Sequence, residues 1–240
     1  MEKVLSMYAA VKRVLDVVFA LTCLIVLSPI FAVISIAIVL DSGLPVLFKQ
    51  RRIGINKTAF QILKFRTMYM DTPEDTPTHQ LKNPEQYITR VGRFLRRTSL
   101  DELPQILNIL AGDMSFVGPR PALWNQDDLI AERDKYGANQ VRPGLTGWAQ
   151  INGRDKLPIE VKARLDGEYV RRMGFWMDVK CMLGTVLTVI TTDGVVEGGT
   201  GAGSERSNEG GPSPCEESSH YWEGQLHRRQ CCAVARQVPR

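Results

Sequence analysis

Hydrophobic residues are unevenly spread along this chain, and their spacing changes from one stretch to the next. From Val17 to Leu40 no charge interrupts the apolar run, which is long enough to cross a hydrocarbon core of about 30 Å as a helix. It is too long for the core of a secretory signal, and no small-residue cleavage site follows it. Ser28-Pro29 stands near its middle. Proline removes one backbone hydrogen bond and collides with the preceding turn, so a kink or break is predicted there, with the Ser28 hydroxyl placed to serve a freed carbonyl. From Pro45 to Met70 short apolar pieces alternate with cations, and Ile62-Leu63-Lys64-Phe65-Arg66 has strand character. Residues 71–84, with Pro73, Pro77 and Pro84, read as an irregular loop.

Helical spacing returns at Ile88 to Arg97, with Val91, Phe94 and Leu95 on one side and Arg90, Arg93 and Arg97 on another. In the next stretch Leu100, Leu103, Ile106, Leu107 and Leu110 mark a buried face, leaving Asp101, Gln105 and Asn108 on an open one. Pro104 is tolerated only in a first turn, which places Asp101 and Glu102 at a helix start. Asn125 to Tyr136 reads as an exposed helix, and Arg142 to Arg154 as a Gly-rich connection without the Gly-Lys-Ser/Thr of a phosphate loop. Ile159 to Ile190 reads as one helix. Its Trp176, beside Arg171, Arg172 and Lys180, suits a helix lying among lipid headgroups. The expected fold is α+β and mostly helical: a re-entrant membrane helix, a small cytosolic domain and interfacial amphipathic helices. The expected divisions are a basic flank at 1–16, the membrane helix at 17–40, the cytosolic domain at 41–200 and a disordered or adventitious tail at 201–240.

Charge sharpens this picture. The formal net charge is +4 over 240 residues, and acids and arginines balance beyond Gly198, so the excess belongs to the part expected to fold. Lys12 and Arg13 precede the apolar run, and Lys49, Arg51 and Arg52 follow it. Cationic flanks mark the cytoplasmic side, so a helix that bends at Ser28-Pro29 and leaves by the face it entered satisfies both ends. An ordinary kinked span is the alternative. Cations at this density suit anionic headgroups, at about 1 kcal/mol each, and they equally suit phosphorylated substrates. The five cysteines include no C-x-x-C pair, which fits a reducing compartment. His220, His227, Cys215, Cys231 and Cys232 match no usual zinc spacing.

The adjacent carboxylates Asp101 and Glu102 are the main chemical candidates. A helix start favours their ionised form, which both nucleophilic attack and metal binding require. Ser99-x-x-Glu102 is also a capping box, which would account for an acidic helix start without any chemistry. Arg96 and Arg97 lie close enough along the chain to hold a diphosphate. Arg120 is presented from a loop stiffened by Pro119 and Pro121.

Together these motifs resemble the bacterial sugar transferase family, the monotopic polyprenyl-phosphate phosphoglycosyltransferases, in a short form without extra N-terminal membrane helices. The resemblance covers about Val11 to Thr200. It rests on Lys12-Arg13-x-x-Asp16, Ser28-Pro29, Lys64-Phe65-Arg66-Thr67-Met68, Arg96-x-x-Ser99-Leu100-Asp101-Glu102-Leu103-Pro104-Gln105, Gly112-Asp113-Met114-Ser115, Pro119-Arg120-Pro121 and Arg142-Pro143-Gly144-Leu145-Thr146-Gly147, in that order. The resemblance implies that Asp101 is a nucleophile, and that Glu102, with Asp101, holds Mg2+. It also implies that Arg96, Arg120, Lys64 and Arg66 bind substrate phosphate or nucleotide, and that Ser28 and Pro29 break the membrane helix. The implied partners are a UDP-sugar, undecaprenyl phosphate as the polyprenyl phosphate, membrane lipids and downstream glycosyltransferases of surface glycan assembly, with no nucleic acid. The implied location is the bacterial cytoplasmic membrane, with the catalytic domain facing the cytosol. Two readings stand beside it: a membrane-anchored basic binding module with no catalysis, and hydrolysis of a lipid diphosphate by the same two acids.

Overall fold

A computed structural model describes residues 2–70, 72, 84–153 and 157–191; the tail expected at 201–240 lies outside them, as does most of the loop expected at 71–84. The first element, α1 (Glu2–Ser42), carries the long apolar run. One of its faces is covered along most of its length. Ala20, Cys23, Leu24 and Leu27 pack with Ile62, Ile106, Ile109 and Met114, and Phe31, Ile34 and Ile38 pack with Phe65 and Leu95. The opposite face exposes Val18, Ile25, Val26, Val33, Ile36 and Leu40, so it is as apolar as the buried one. Of the kink or break expected at Pro29, the break does not occur: the helix continues through it. Its lost bond is replaced: Ser28 Oγ donates to Ile25 O at 2.8 Å, the carbonyl four residues before the proline.

Strands β1 (Leu47–Ile53) and β2 (Ala59–Phe65) pair antiparallel from Leu47 opposite Phe65 to Ile53 opposite Ala59. The free edge of β2 is closed by a side chain. Asn108 Nδ2 donates to Gln61 O at 2.7 Å, and its Oδ1 accepts from Leu63 N at 2.9 Å, so one amide mimics a further strand. Next come α2 (Arg90–Arg97), α3 (Gln105–Ala111), the short strand β3 (Ser115–Val117) and β4 (Ala122–Leu123). β4 joins the other edge of β1 at Arg52 and Ile53 only, giving the order β2-β1-β4. Thr89 Oγ1 caps α2 by accepting from Gly92 N at 2.8 Å. Leu95 is buried, but Phe94 is exposed, because the covered stripe of this short helix is narrower than its apolar face.

The remaining elements are α4 (Asp127–Asp134), β5 (Gly144–Thr146), α5 (Trp148–Ile151), α6 (Ile159–Arg171) and α7 (Phe175–Thr191). β5 runs parallel to β3, with Ser115 opposite Gly144 and Val117 opposite Thr146. The backbones beside that pair approach so closely that a Cβ on Gly144 would lie 2.1 Å from Gly118 N; only glycine fits there. The single helix expected over 159–190 is two helices, and a short helix interrupts the Gly-rich connection expected to have none. Hydrogen bonding and packing, not apolar spacing, set these boundaries. Arg133 of α4 binds Asp166 of α6 through Nη2 at 2.6 Å, so the helix expected to be exposed is anchored by a buried ion pair.

Candidate active site

Asp101 and Glu102 sit in a single 3₁₀ turn, Leu100–Glu102, between α2 and α3. The helix start was expected at these acids, but α3 begins at Gln105 with Pro104 as its cap. Ser99 takes a left-handed conformation (φ 56°) and makes no side-chain capping bond, so the capping box is not formed. The open face expected for Asp101, Gln105 and Asn108 is also absent. Asp101 is only 7% exposed, and Gln105 and Asn108 are buried. The reason is tertiary: α3 is wedged between α1 and the edge of β2, so both its faces meet protein.

Lys64 and Arg120 converge on the acids. Lys64 Nζ donates to Glu102 Oε1 at 2.9 Å and lies 3.9 Å from Asp101 Oδ2. Arg120 grips Glu102 with both terminal nitrogens, Nη2 to Oε1 at 2.6 Å and Nη1 to Oε2 at 3.3 Å. Burial alone would raise the Glu102 carboxyl, but the charges and hydrogen bonds of Arg120 and Lys64 outweigh it and hold the group well below the usual carboxylate range. Glu102 is therefore ionised at neutral pH. Three separate segments meet here: Lys64 from β2, the acids from the turn before α3, and Arg120 from the loop between β3 and β4.

The other two expected cations, Arg96 and Arg66, have partners besides the acids. Arg96 turns its Nε to Thr67 Oγ1 at 2.8 Å. Arg66 is 4% exposed and gives Nη2 to Ser42 O, Ser42 Oγ and Gly43 O at 2.6–2.8 Å, so it caps the end of α1. Thr67 and Asn108 were missed as supporting groups. Thr67 stands inside the Lys64-to-Met68 motif, a signal that was available; Asn108 gave none, because an amide serving a strand edge has no sequence pattern. Ser28 and Pro29 lie in the long helix rather than near the acids.

The family model for bacterial sugar transferases matches residues 7–192. The chain belongs to the bacterial sugar transferase family. Among this transferase's relatives, the UDP-glucose:undecaprenyl-phosphate glucose-1-phosphate transferase of Caulobacter vibrioides is 44% identical over 190 residues, covering 76% of this chain and 70% of that protein. An uncharacterized sugar transferase, EpsL, of Bacillus subtilis is 41% identical over 188 residues, 77% of this chain and 89% of the relative. The undecaprenyl-phosphate glucose phosphotransferase of Komagataeibacter xylinus is 41% identical over 187 residues, 73% of this chain. The match spans only 35% of that last protein's length. The stretch of this sugar transferase that the family model matches contains most of α1, the paired acids and both cations that bind Glu102.

Proposed function

We propose that this protein transfers a sugar 1-phosphate from a UDP-sugar to a polyprenyl phosphate, undecaprenyl phosphate being the acceptor named for its relatives. The observation that carries the reading is the pairing of Asp101 with a Glu102 held by Lys64 and Arg120. In the first displacement an Asp101 carboxylate oxygen attacks the sugar-bearing phosphorus, the bond to the bridging oxygen breaks, and UMP leaves. In the second, an oxygen of the lipid phosphate attacks the same phosphorus and releases the Asp101 carboxylate. Each step is an in-line displacement at a phosphorus carrying dispersed negative charge, which Lys64 and Arg120 are placed to offset. The polarity of the site suits this use, since its cations are partly exposed and remain reachable by an anion.

Two adjacent carboxylates are donors of the kind magnesium takes, and Glu102, whose oxygens are engaged by Arg120 and Lys64, would release part of that hold to bind the ion. Among the described residues no group of three or more metal-ligating side chains occurs, so Asp101 and Glu102 would share the ion with substrate oxygens, the usual habit of this hard cation. Bound there, it would neutralise diphosphate charge. The test of the whole reading is single-turnover mixing of the chain with UDP-sugars in the absence of lipid acceptor. UMP should appear in stoichiometric amount, with a phosphosugar on Asp101 detectable by mass spectrometry. Hydrolysis of a lipid diphosphate without sugar transfer would replace the reading, and no UMP from any UDP-sugar would leave a binding module.

We also propose that both ends of α1 lie on the cytosolic side of the bacterial inner membrane. Near its start Arg13 Nη2 donates to Leu110 O at 2.9 Å; at its end Asp41 Oδ2 accepts from Val91 N at 3.0 Å. A helix of 41 residues is about 60 Å long, and a spanning arrangement would carry one of these polar contacts across the bilayer. Such a helix instead rests its exposed apolar face in the lipid. Cysteine labelling from outside intact cells, at the N-terminus and after Arg52, should modify neither position; labelling of the N-terminus alone would show a span.

A further inference from the structure

Where α1 ends, the chain enters a groove that contains neither paired acid. It has a volume of about 510 Å³ and is walled on one side by β1 and β2 and on the other by the segment after β4. Lys49, Arg51 and Arg66 line it, together with the apolar Leu47, Phe48, Met70, Leu123 and Trp124, and among the described residues no carboxylate does. The groove exists because β4 covers only Arg52 and Ile53 of β1, leaving the rest of that edge open.

Arg66 is the unusual member. Its Nη2 is fixed on the last carbonyls of α1, while Nε and Nη1 are buried with no hydrogen-bond partner. A guanidinium withdrawn from water with two nitrogens unserved is costly unless an acceptor arrives. Nε–H and Nη1 diverge around Cδ, so each would take its own acceptor, and a phosphate oxygen suits either. Arg51 lies over the half-exposed Trp124 ring, 6.0 Å from its centroid, adding a second cation and an aromatic wall. Beyond the groove the exposed Leu40 and Leu44 continue onto the lipid-facing side of α1. The chemistry is therefore divided, with cations within and apolar surface leading out along the membrane helix. That division fits a phosphate on a hydrocarbon tail.

We infer that this groove receives the phosphate of the polyprenyl acceptor, with Arg66 as its fixed partner and Lys49 and Arg51 completing the charge. The inference rests on the transfer reading above. Two residues earlier on the same chain segment, Lys64 reaches Asp101 and Glu102.

The test measures binding and transfer separately on the full chain in detergent micelles. Binding of a radiolabelled polyprenyl monophosphate should weaken at least tenfold in the exposed pair Lys49→Ser/Arg51→Ser and in Arg66→Lys. The KM for polyprenyl phosphate should rise in parallel, while the KM for UDP-sugar and the lipid-free UMP burst stay near wild type. The Lys49/Arg51 pair is exposed and keeps the test independent of any folding role of Arg66. Unchanged lipid binding in that pair would overturn the inference. So would a raised KM for UDP-sugar alone, which would make the groove a nucleotide site, or equal displacement of the label by phosphatidylglycerol, which would make it a general headgroup site. Lipid binding that depends on these cations in a chain releasing no UMP would preserve the groove and remove the transfer reading instead.

Discussion

Asp166 and Glu102 are both carboxylates withdrawn from water against arginine, yet they have opposite surroundings. Asp166 meets one guanidinium, that of Arg133, in a pair with side chains 1% and 4% exposed. Burial pushes its carboxyl up, against the charges of Arg133 and Lys162. Glu102 meets two cations, Lys64 and Arg120, whose side chains are 19% and 31% exposed, and it is held well below the usual range. The first pair joins α4 to α6 and is closed to any ligand. At the second, one carboxylate draws two cations that keep an exposed side. Burial of an ion pair therefore does not separate structure from function; the accessible side of the cations does.

The sharpest way to break the comparison is at Asp101. Asp101→Asn should lower UMP release by roughly 10⁴-fold or more, the scale on which removal of a covalent nucleophile acts, with the melting temperature little changed. Residual transfer within tenfold of wild type would end the nucleophile assignment. At the closed pair the expectation reverses. Arg133→Met should destabilise the fold by about 3–5 kcal/mol, the usual effect of stranding one partner of a buried pair, and Arg133→Met/Asp166→Leu should recover part of it. Turnover per folded molecule should stay near wild type in both, read by chemical denaturation alongside UMP release.

A smaller effect concerns acid. The folded Glu102 pKa lies below the unfolded value of about 4.5, so the stability this group contributes is fully present above that value and is lost as pH falls through the folded one. Glu102→Gln should remove that dependence: the difference between wild-type and variant stability should be flat above pH ~4.5 and shrink below it. A difference independent of pH down to acid unfolding would show that the cations do not stabilise the carboxylate. Smallest of all is the exposed Lys135–Glu132 pair, one turn apart on the surface. Lys135→Met should give no measurable shift in melting temperature, because solvent screens such pairs.

Much of this could be read before the fold was known, but unevenly. The apolar run, the strand around Lys64 and the helix of Arg90–Arg97 follow from periodicity, which records which side of an element meets other protein. The acids were found because two adjacent carboxylates between a basic and an apolar stretch are conspicuous. Their environment was misread. Amphipathic spacing assumes one covered face, whereas α3 is covered on two, so Gln105 and Asn108 are buried and Asp101 is nearly so. Lys64 and Arg66, taken as equivalent cations, part company because one side chain reaches the turn before α3 and the other the end of α1.

By itself the order of residues determined the long apolar helix, the serine that serves the carbonyl orphaned by Pro29, the positive balance of the folding part and the chemical types in the site, because each is local to a few neighbouring positions. Only the tertiary structure decided which cation serves which acid, that Asn108 closes a sheet edge from a helix, and that Arg66 faces a groove with two nitrogens unserved. Those facts depend on segments far apart in the chain meeting within about 3 Å, the reach of a hydrogen bond, and no local spacing encodes that distance.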